Sequence, residues 1–294
     1  MTIFDVPLSV LPGQLIYGLV NGSFYAILSL GLAVIFGLLN IINFAHGAQY
    51  MMGAFVTWMA LTYFHINFWW ALMLAPLVVG VFSIALEKTM ISRLAGLDPL
   101  YSLLLTFGIA LMIQGAFREI YGSSGQRYAV PPQLVGGQDL GFFFVSNYRL
   151  WVIAASLSVC LLTWYVIEKT KLGSYLRAAT ENRVLVESFG INVPRMVTLT
   201  YGFGAGLAAF AGVLAAPIYA VNPSMGIETI AVIFAVVVIG GMGSILGAIV
   251  TGLGLGMLEA LSKVFYPELS STVIFIMMVI VLALKPDGLF GRTK

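Results

Sequence analysis

The pattern of apolar and charged positions is read most easily from where charge is missing. No Asp, Glu, Lys or Arg occurs from Val6 to Leu86, a run of 81 residues. A helix needs roughly 20 apolar residues to cross the hydrocarbon of a bilayer, so this run holds about three spans. Further charge-free runs follow at Pro99–Phe117, Leu150–Ile167, Met196–Ile227, Thr229–Leu258 and Leu269–Leu284. The pattern predicts an all-α fold, a polytopic transmembrane helical bundle of eight or nine spans. Residues 1–294 are expected to form one transmembrane domain with no separate soluble domain.

Basic residues orient such a chain, because loops rich in Lys and Arg stay on the cytoplasmic side. With nine spans and a first helix entering from outside, ten basic residues fall inside: Lys88, Arg93, Lys169, Lys171, Arg177, Arg183, Arg195, Lys285, Arg292 and Lys294. Four fall outside: Arg118, Arg127, Arg149 and Lys263. An eight-span version changes the side of the N-terminus but hardly that of the loop over 169–195, which is expected to be cytoplasmic. The outer loop over 118–149 contains YGSSGQRYAVPPQLVGGQDLG, rich in turn formers and polar enough for water.

Composition agrees. The chain is 60% hydrophobic and 9% charged, with a mean hydropathy of +1.01, whereas soluble domains carry about 25% charged residues. A net charge of +2 gives no footprint for a nucleic-acid partner. Cys160 stands alone in an apolar run and the only histidines are His46 and His65, so neither a disulfide framework nor a metal cluster is expected. Asp5 is the only charge before Glu87, which argues against a cleavable signal peptide.

Four segments hold candidate function, each with a plainer reading beside it. The stretch Ser174–Phe189, SYLRAATENRVLVESF, predicts a short helix with Ala178, Asn182, Leu185, Val186 and Phe189 on one face. Arg177 with Glu181, and Arg183 with Glu187, stand four apart and are expected to pair. Gly190 suits a left-handed cap, and Pro194 is expected to prevent continuation into the next span. Such a helix either receives force from a cytoplasmic partner or merely lies on the membrane surface. In Asn40–Tyr50, NIINFAHGAQY, the residues Asn40, Asn43, His46 and Gln49 are polar within apolar sequence, which is costly at membrane depth unless they face protein or a cavity. Asn43, His46 and Gln49 would drift around one helical face, and Gly47 is a place to interrupt the helix. They line a solute path or only join helices by hydrogen bonds.

The third is Gly240–Gly256, GGMGSILGAIVTGLGLG, where Gly243/Gly247 and Gly252/Gly256 are spaced for close helix packing, and a helix break at Gly240–Ser244 would line a path instead. The fourth is Glu259, either a pathway acid or an interfacial partner of Lys263. The tentative pathway set is thus Asn43, His46, Gly47, Gln49, Gly240, Gly241, Gly243 and Glu259.

Enzymatic signals are missing or false. No Gly-Lys dipeptide exists, hence no Walker A loop, and no zinc-protease or nucleophile-elbow motif occurs. Gly204-Ala-Gly206-Leu-Ala-Ala209 matches a dinucleotide fingerprint formally, but within an apolar helix and after no strand. No enzyme activity, catalytic residue or cofactor is expected.

Taken in order, six motifs resemble a known family. They are LGLAVIFGLLNIINFAHG at Leu30–Gly47, LLLTFGIALMIQG at Leu103–Gly115, LRAATENRVLVESFGINVPR at Leu176–Arg195, GAGLAAFAGVLAAP at Gly204–Pro217, VVVIGGMGSILGA at Val236–Ala248 and KPDGLFGR at Lys285–Arg292. Together they resemble the H-type permease subunits of branched-chain (hydrophobic) amino-acid ABC importers. The resemblance implies a second related permease subunit, two cytoplasmic ABC ATPase subunits, a periplasmic solute-binding protein, and a place in the bacterial inner membrane. It also implies alternating access and an ATPase-coupling role for Arg177, Ala178, Glu181, Asn182, Glu187, Gly190, Ile191 and Asn192. The EAA motif of many other importers is not matched. A urea or short-amide permease of the same superfamily remains an alternative. Outside the family, the rivals are an ATP-independent secondary transporter, with Glu259 and Glu228 as candidate acids, and an intramembrane enzyme. Whether the permease partner is a distinct chain or a second copy is left open.

Overall fold

The computed structural model describes residues 2–3, 6–7, 10–39, 43–94, 97–139, 141 and 143–291. Asp5, Asn40, Arg292 and Lys294, used in the reading above, lie outside the described residues.

Eleven α-helices follow one another among the described residues. They are α1 (Leu11–Leu39), α2 (Ala45–Phe64), α3 (Phe68–Thr89), α4 (Pro99–Tyr121), α5 (Asn147–Lys169), α6 (Lys171–Glu181), α7 (Arg183–Ser188), α8 (Val193–Ala215), α9 (Met225–Gly240), α10 (Ile245–Phe265) and α11 (Val273–Leu284). Short polar residues mark several starts, accepting the first-turn N–H groups that a helix leaves unbonded. Asn67 caps α3, Asp98 caps α4 ahead of Pro99, and Ser244 caps α10. Six helical stretches are long and apolar enough to cross a membrane: Leu11–Gly37, Phe68–Leu94, Pro99–Tyr121, Asn147–Lys169, Val193–Ala215 and Ile245–Phe265. The helices α9 and α11 are apolar but shorter, and α2 has 20 residues with His46 and Gln49 diluting its apolar content. Against the expected eight or nine spans, six helices among the described residues meet that length and apolarity.

The chain sorts into two compact units, residues 1–29, 130–161 and 232–294, and residues 30–129 and 162–231. The helices α1, α5 and α9 contribute to both. In the first unit, Ala235, Val236 and Ile239 of α9 pack with Leu255 of α10 and with Ile274 and Val281 of α11. There α10 lies backbone to backbone on α1: a Cβ on Gly256 would overlap Gly22, and one on Gly252 would meet Ala26 Cα at 2.7 Å. In the second unit, α8 packs against α2 and α3. A Cβ on Gly53 would overlap the Ala209 backbone, and one on Gly202 would press on Ile84 at 2.5 Å. Small residues at such contacts let backbones approach where lipid gives no hydrophobic push.

The connection expected over 118–149 is shorter than expected and contains a short β-ribbon. The helix α4 runs to Tyr121 and α5 starts at Asn147, and between them β3 (Gly137–Asp139) pairs antiparallel with β4 (Phe144–Ser146). Gln126 and Val221 form a separate bridge within the second unit. Tyr128 is buried in this connection, which pushes its phenol up to about 12. A second short ribbon joins β1 (Thr2–Ile3) and β2 (Val6–Pro7).

Candidate functional site

The polar residues around the start of α2 are brought together, though not by a common helical face. Asn43 precedes the helix, which begins at Ala45, so the expected three-apart stripe is broken at its first member. Asn43 Nδ2 instead reaches Gln49 Oε1 at 3.4 Å, and Gln49 Nε2 donates to Ser83 Oγ of α3 at 3.1 Å and to Tyr201 Oη of α8 at 3.5 Å. His46 is buried against α1, where a Cβ on Gly31 would come within 2.9 Å of its Cε1. Gly47 does not interrupt the helix. It lies in the first turn, and its backbone meets Gly226 so closely that neither position has room for a side chain.

The same cluster contains an acid that sequence reasoning passed over. Glu87, in the last turn of α3, is 3% exposed and accepts a hydrogen bond of 2.6 Å from Thr198 Oγ1 of α8. Standing next to Lys88 at the end of a charge-free run, it looks like an interfacial flank. The signal was in the spacing: Ala71, Ala75, Val79, Ser83 and Glu87 recur every fourth residue and all are buried.

Beside this cluster a small open cleft lies between the first turns of α2 and α9 and the middle of α4. Phe44, Met51, Phe107, Ile227 and Ile230 line it, with Gln114 as its polar side chain and the Gly47–Gly226 contact at its edge. Phe44 N donates to Thr106 Oγ1, well inside α4, so Phe44 lies part-way along that helix rather than at its end. Irregular backbone at such depth must be buried against protein or face a cavity.

The glycine run behaves differently at its two ends. The helix ends at Gly240, Gly241 and Gly243 adopt φ of +99° and +87°, and Ser244 Oγ accepts the Gly247 N–H to start α10. The expected break at Gly240–Ser244 is therefore present. Gly243 is exposed and serves the turn, so the expected Gly243/Gly247 packing pair is not formed; Gly247 packs on the Gly240 carbonyl instead. The pair Gly252/Gly256 does pack, against α1. The KPDGLFG segment returns to this turn, with Leu289 N and Phe290 N donating to Ile239 O and Gly240 O at 2.8 and 3.1 Å. Two motifs far apart in sequence thus form one structure, in which the segment supplies donors to carbonyls at the end of α9. Glu259 is not isolated: Tyr25 Oη donates to it at 2.6 Å, and Lys263 Nζ pairs with it at 2.6 Å. Of the two readings of Glu259, the partnership with Lys263 is present. Glu228 is exposed near the start of α9 and accepts from Ser224 Oγ at 2.5 Å.

The segment expected as one helix over Ser174–Phe189 is two. Asn182 adopts an extended conformation and its side chain accepts from Leu185 N at 2.9 Å, ending α6 and capping α7. Asn competes for backbone donors in this way, which is why it favours caps over helix interiors. The break dissolves the expected face. Val186 is buried, whereas Ala178, Asn182, Leu185 and Phe189 are exposed. The packed side is instead Leu176 and Val186 on Val193 and Met196 of α8, flanked by Ala179 and Ile191. Arg177 turns away from Glu181 to the Ile167 carbonyl at 3.0 Å and Glu168 at 3.4 Å, while Arg183 pairs with Glu187 at 3.1 Å as expected. Gly190 has φ +80°, the left-handed geometry expected of it. The segment's helix does not continue into the next span, as expected: α7 ends at Ser188, and Pro194 stands in the first turn of α8 behind the Asn192 cap.

Among the described residues no group of three or more His, Cys, Asp or Glu is placed to hold a metal ion. No solved structure matches the chain. Among known proteins it is 30% identical to the high-affinity branched-chain amino acid transport system permease protein LivH of Salmonella typhimurium over 299 residues, 96% of each chain. It is also 30% identical to the corresponding permease protein BraD of Pseudomonas aeruginosa, again over 96% of each. A more distant likeness, 29% identity over 92% of this chain and 68% of the other, is to the permease protein LivM of Salmonella typhimurium. A model of the branched-chain amino acid transport system / permease component family matches residues 14–282, and the chain belongs to that family of membrane permeases.

Proposed function

We propose that this chain works as one of two membrane-spanning subunits of an ATP-driven importer for branched-chain or related hydrophobic amino acids in a bacterial inner membrane, with residues 1–294 acting as one transmembrane domain. The observation that carries the reading is the likeness to LivH and BraD over nearly the whole of each chain. That LivM, a second permease protein of the same named system, is also similar supports a related but distinct permease as partner.

The energy would come from ATPase subunits on the cytoplasmic side and the solute from a separate binding protein, so this chain performs no covalent chemistry. Its task is to favour inward-open and outward-open packings in turn, and each ligand or partner contributes only its difference in affinity between them. The α6–α7 segment, with Arg177, Ala178, Glu181, Asn182, Glu187, Gly190, Ile191 and Asn192, is assigned to ATPase coupling. Its support is its form: Leu176 and Val186 anchor it to α8, while Val184 and Phe189 remain 77% and 76% exposed on a polar segment. Asn43, His46, Gly47 and Gln49, and separately Gly240, Gly241, Gly243 and Glu259, are assigned to the solute path and the elements that move around it.

Co-purification of the tagged chain from its native membrane in mild detergent tests the reading. Recovery of an ATPase and a second permease is the expected result. The buried Glu87 gives specific support to a second reading, an ATP-independent proton-coupled carrier. Recovery of the chain alone, transporting without ATP, would select it.

A further inference from the structure

We propose that Glu87 is a positioning residue that couples the α6–α7 segment to the membrane core, with Thr198 as the hydroxyl that makes and releases the link. The proposal rests on the importer reading above.

The helix α8 starts directly after α7, and its first turn forms part of the packing that holds the segment, through Val193 and Met196 against Leu176 and Val186. A displacement of α6–α7 is thereby delivered to the first turns of α8. Thr198 lies there, buried, one turn beyond Pro194. Its Oγ1 has two acceptors, Glu87 Oε2 on α3 at 2.6 Å and the Pro194 carbonyl of its own helix at 3.0 Å. A threonine hydroxyl carries one proton, so the two acceptors compete for it. Bonded to Glu87, α8 is tied to α3; bonded to Pro194, it is released without orphaning the donor.

The bond to the α3 acceptor is the shorter of the two, 2.6 Å against 3.0 Å, which gives the tied state a preference. Glu87 has no ion-pair partner among the described residues, so its hydrogen-bond donors carry the whole burden of keeping it buried. Beyond it lie Tyr201 of α8 and Ser83 of α3, both bonded to Gln49 of α2. Ser83 stands one turn from Glu87 on α3 and Tyr201 one turn from Thr198 on α8, so a shift of either helix end is carried along that helix to the Gln49 contacts of α2, whose first turn borders the cleft. What distinguishes this from plain packing is the dependence on one hydroxyl proton.

The test uses the full complex in proteoliposomes: this chain, the partner permease, the ATPases and the binding protein, with leucine as the transported probe. ATP hydrolysed per leucine imported is the readout. Thr198→Val keeps the shape and removes the proton. It is expected to raise the ratio roughly tenfold, the weight of one hydrogen bond to a charged group, with assembly retained. Thr198→Ser restores the hydroxyl and is expected to return the ratio to within about twofold of wild type. An unchanged ratio in Thr198→Val overturns the proposal, as does a Thr198→Ser that behaves like Thr198→Val. If Thr198→Val does not assemble, Glu87→Gln keeps an acceptor but weakens it. A ratio raised about threefold supports the proposal, and an unchanged ratio overturns it. A wild-type complex that imports leucine without ATP would overturn the importer reading itself, and the link with it.

Discussion

The contact of α1 with α10 and the contacts of α8 with α2 and α3 are built with the same device and finished differently. Both use glycine to bring backbones together, at Gly22/Gly256 in the first case and at Gly53/Ala209 and Gly80/Gly202 in the second. On α1 and α10 the buried polar side chains are small hydroxyls, Ser23, Ser29 and Thr251, with Ser29 bonded to the Ala248 carbonyl; beside them Tyr25 reaches Glu259, whose other partner Lys263 is half-exposed. Around α8, Gln49, Ser83, Glu87 and Thr198 are all buried, with Tyr201 among them. Close packing alone holds helices together in lipid, so the second set adds something packing does not need. Hydrogen bonds fix register and can be exchanged, which a dry glycine contact cannot do.

The largest effects should come from the shared device. Gly53→Leu forces α2 from α8 and Gly256→Leu forces α10 from α1; each is expected to cost more than ~3 kcal/mol and abolish a monodisperse product on size exclusion. Gly254→Leu points into open space on the same helix as Gly256 and is expected to behave as wild type. Gln49→Leu strikes only the polar contact. It leaves Ser83 and Tyr201 without their shared amide, and a loss of about 1–3 kcal/mol is expected in thermal unfolding of the detergent-solubilised chain. Gly190→Val places a branched side chain at a left-handed φ, a strain of about 1–2 kcal/mol. It should leave the membrane part folded while raising ATP hydrolysed per solute. The smallest effect belongs to the sparser contact: Glu259→Gln keeps an acceptor for Tyr25 and loses a half-exposed ion pair, worth below about 1 kcal/mol. A Glu259→Gln loss larger than that of Gln49→Leu would reverse the comparison.

Much of this architecture was legible in charge spacing, because the cost of burying charge in lipid leaves long charge-free runs where the spans lie. The left-handed Gly190, the break at Gly240–Ser244 and the pairing of Arg183 with Glu187 were legible for equally local reasons. What escaped depended on choices between near-equal local options. Asn182 continues a helical face on paper, but its side chain caps α7 instead, and the whole expected face turns over with it. Gly243 and Gly252 look alike in sequence, yet one serves a turn and the other a helix contact; only the partner helix separates them. Glu87 was hidden by Lys88, since two charges at the end of a span read as its exit from the membrane. The return of Lys285–Gly291 to the end of α9 was not legible at all, because it joins main-chain atoms and leaves no side-chain pattern.

The central claim is that this chain moves solute only when ATP is hydrolysed by its partners. Uptake of radiolabelled leucine into proteoliposomes containing the co-purified complex and its binding protein tests it most directly. The account predicts uptake that requires ATP inside the vesicles and is unaffected by collapsing the proton gradient. Uptake that proceeds without ATP and stops when the gradient is collapsed would contradict it.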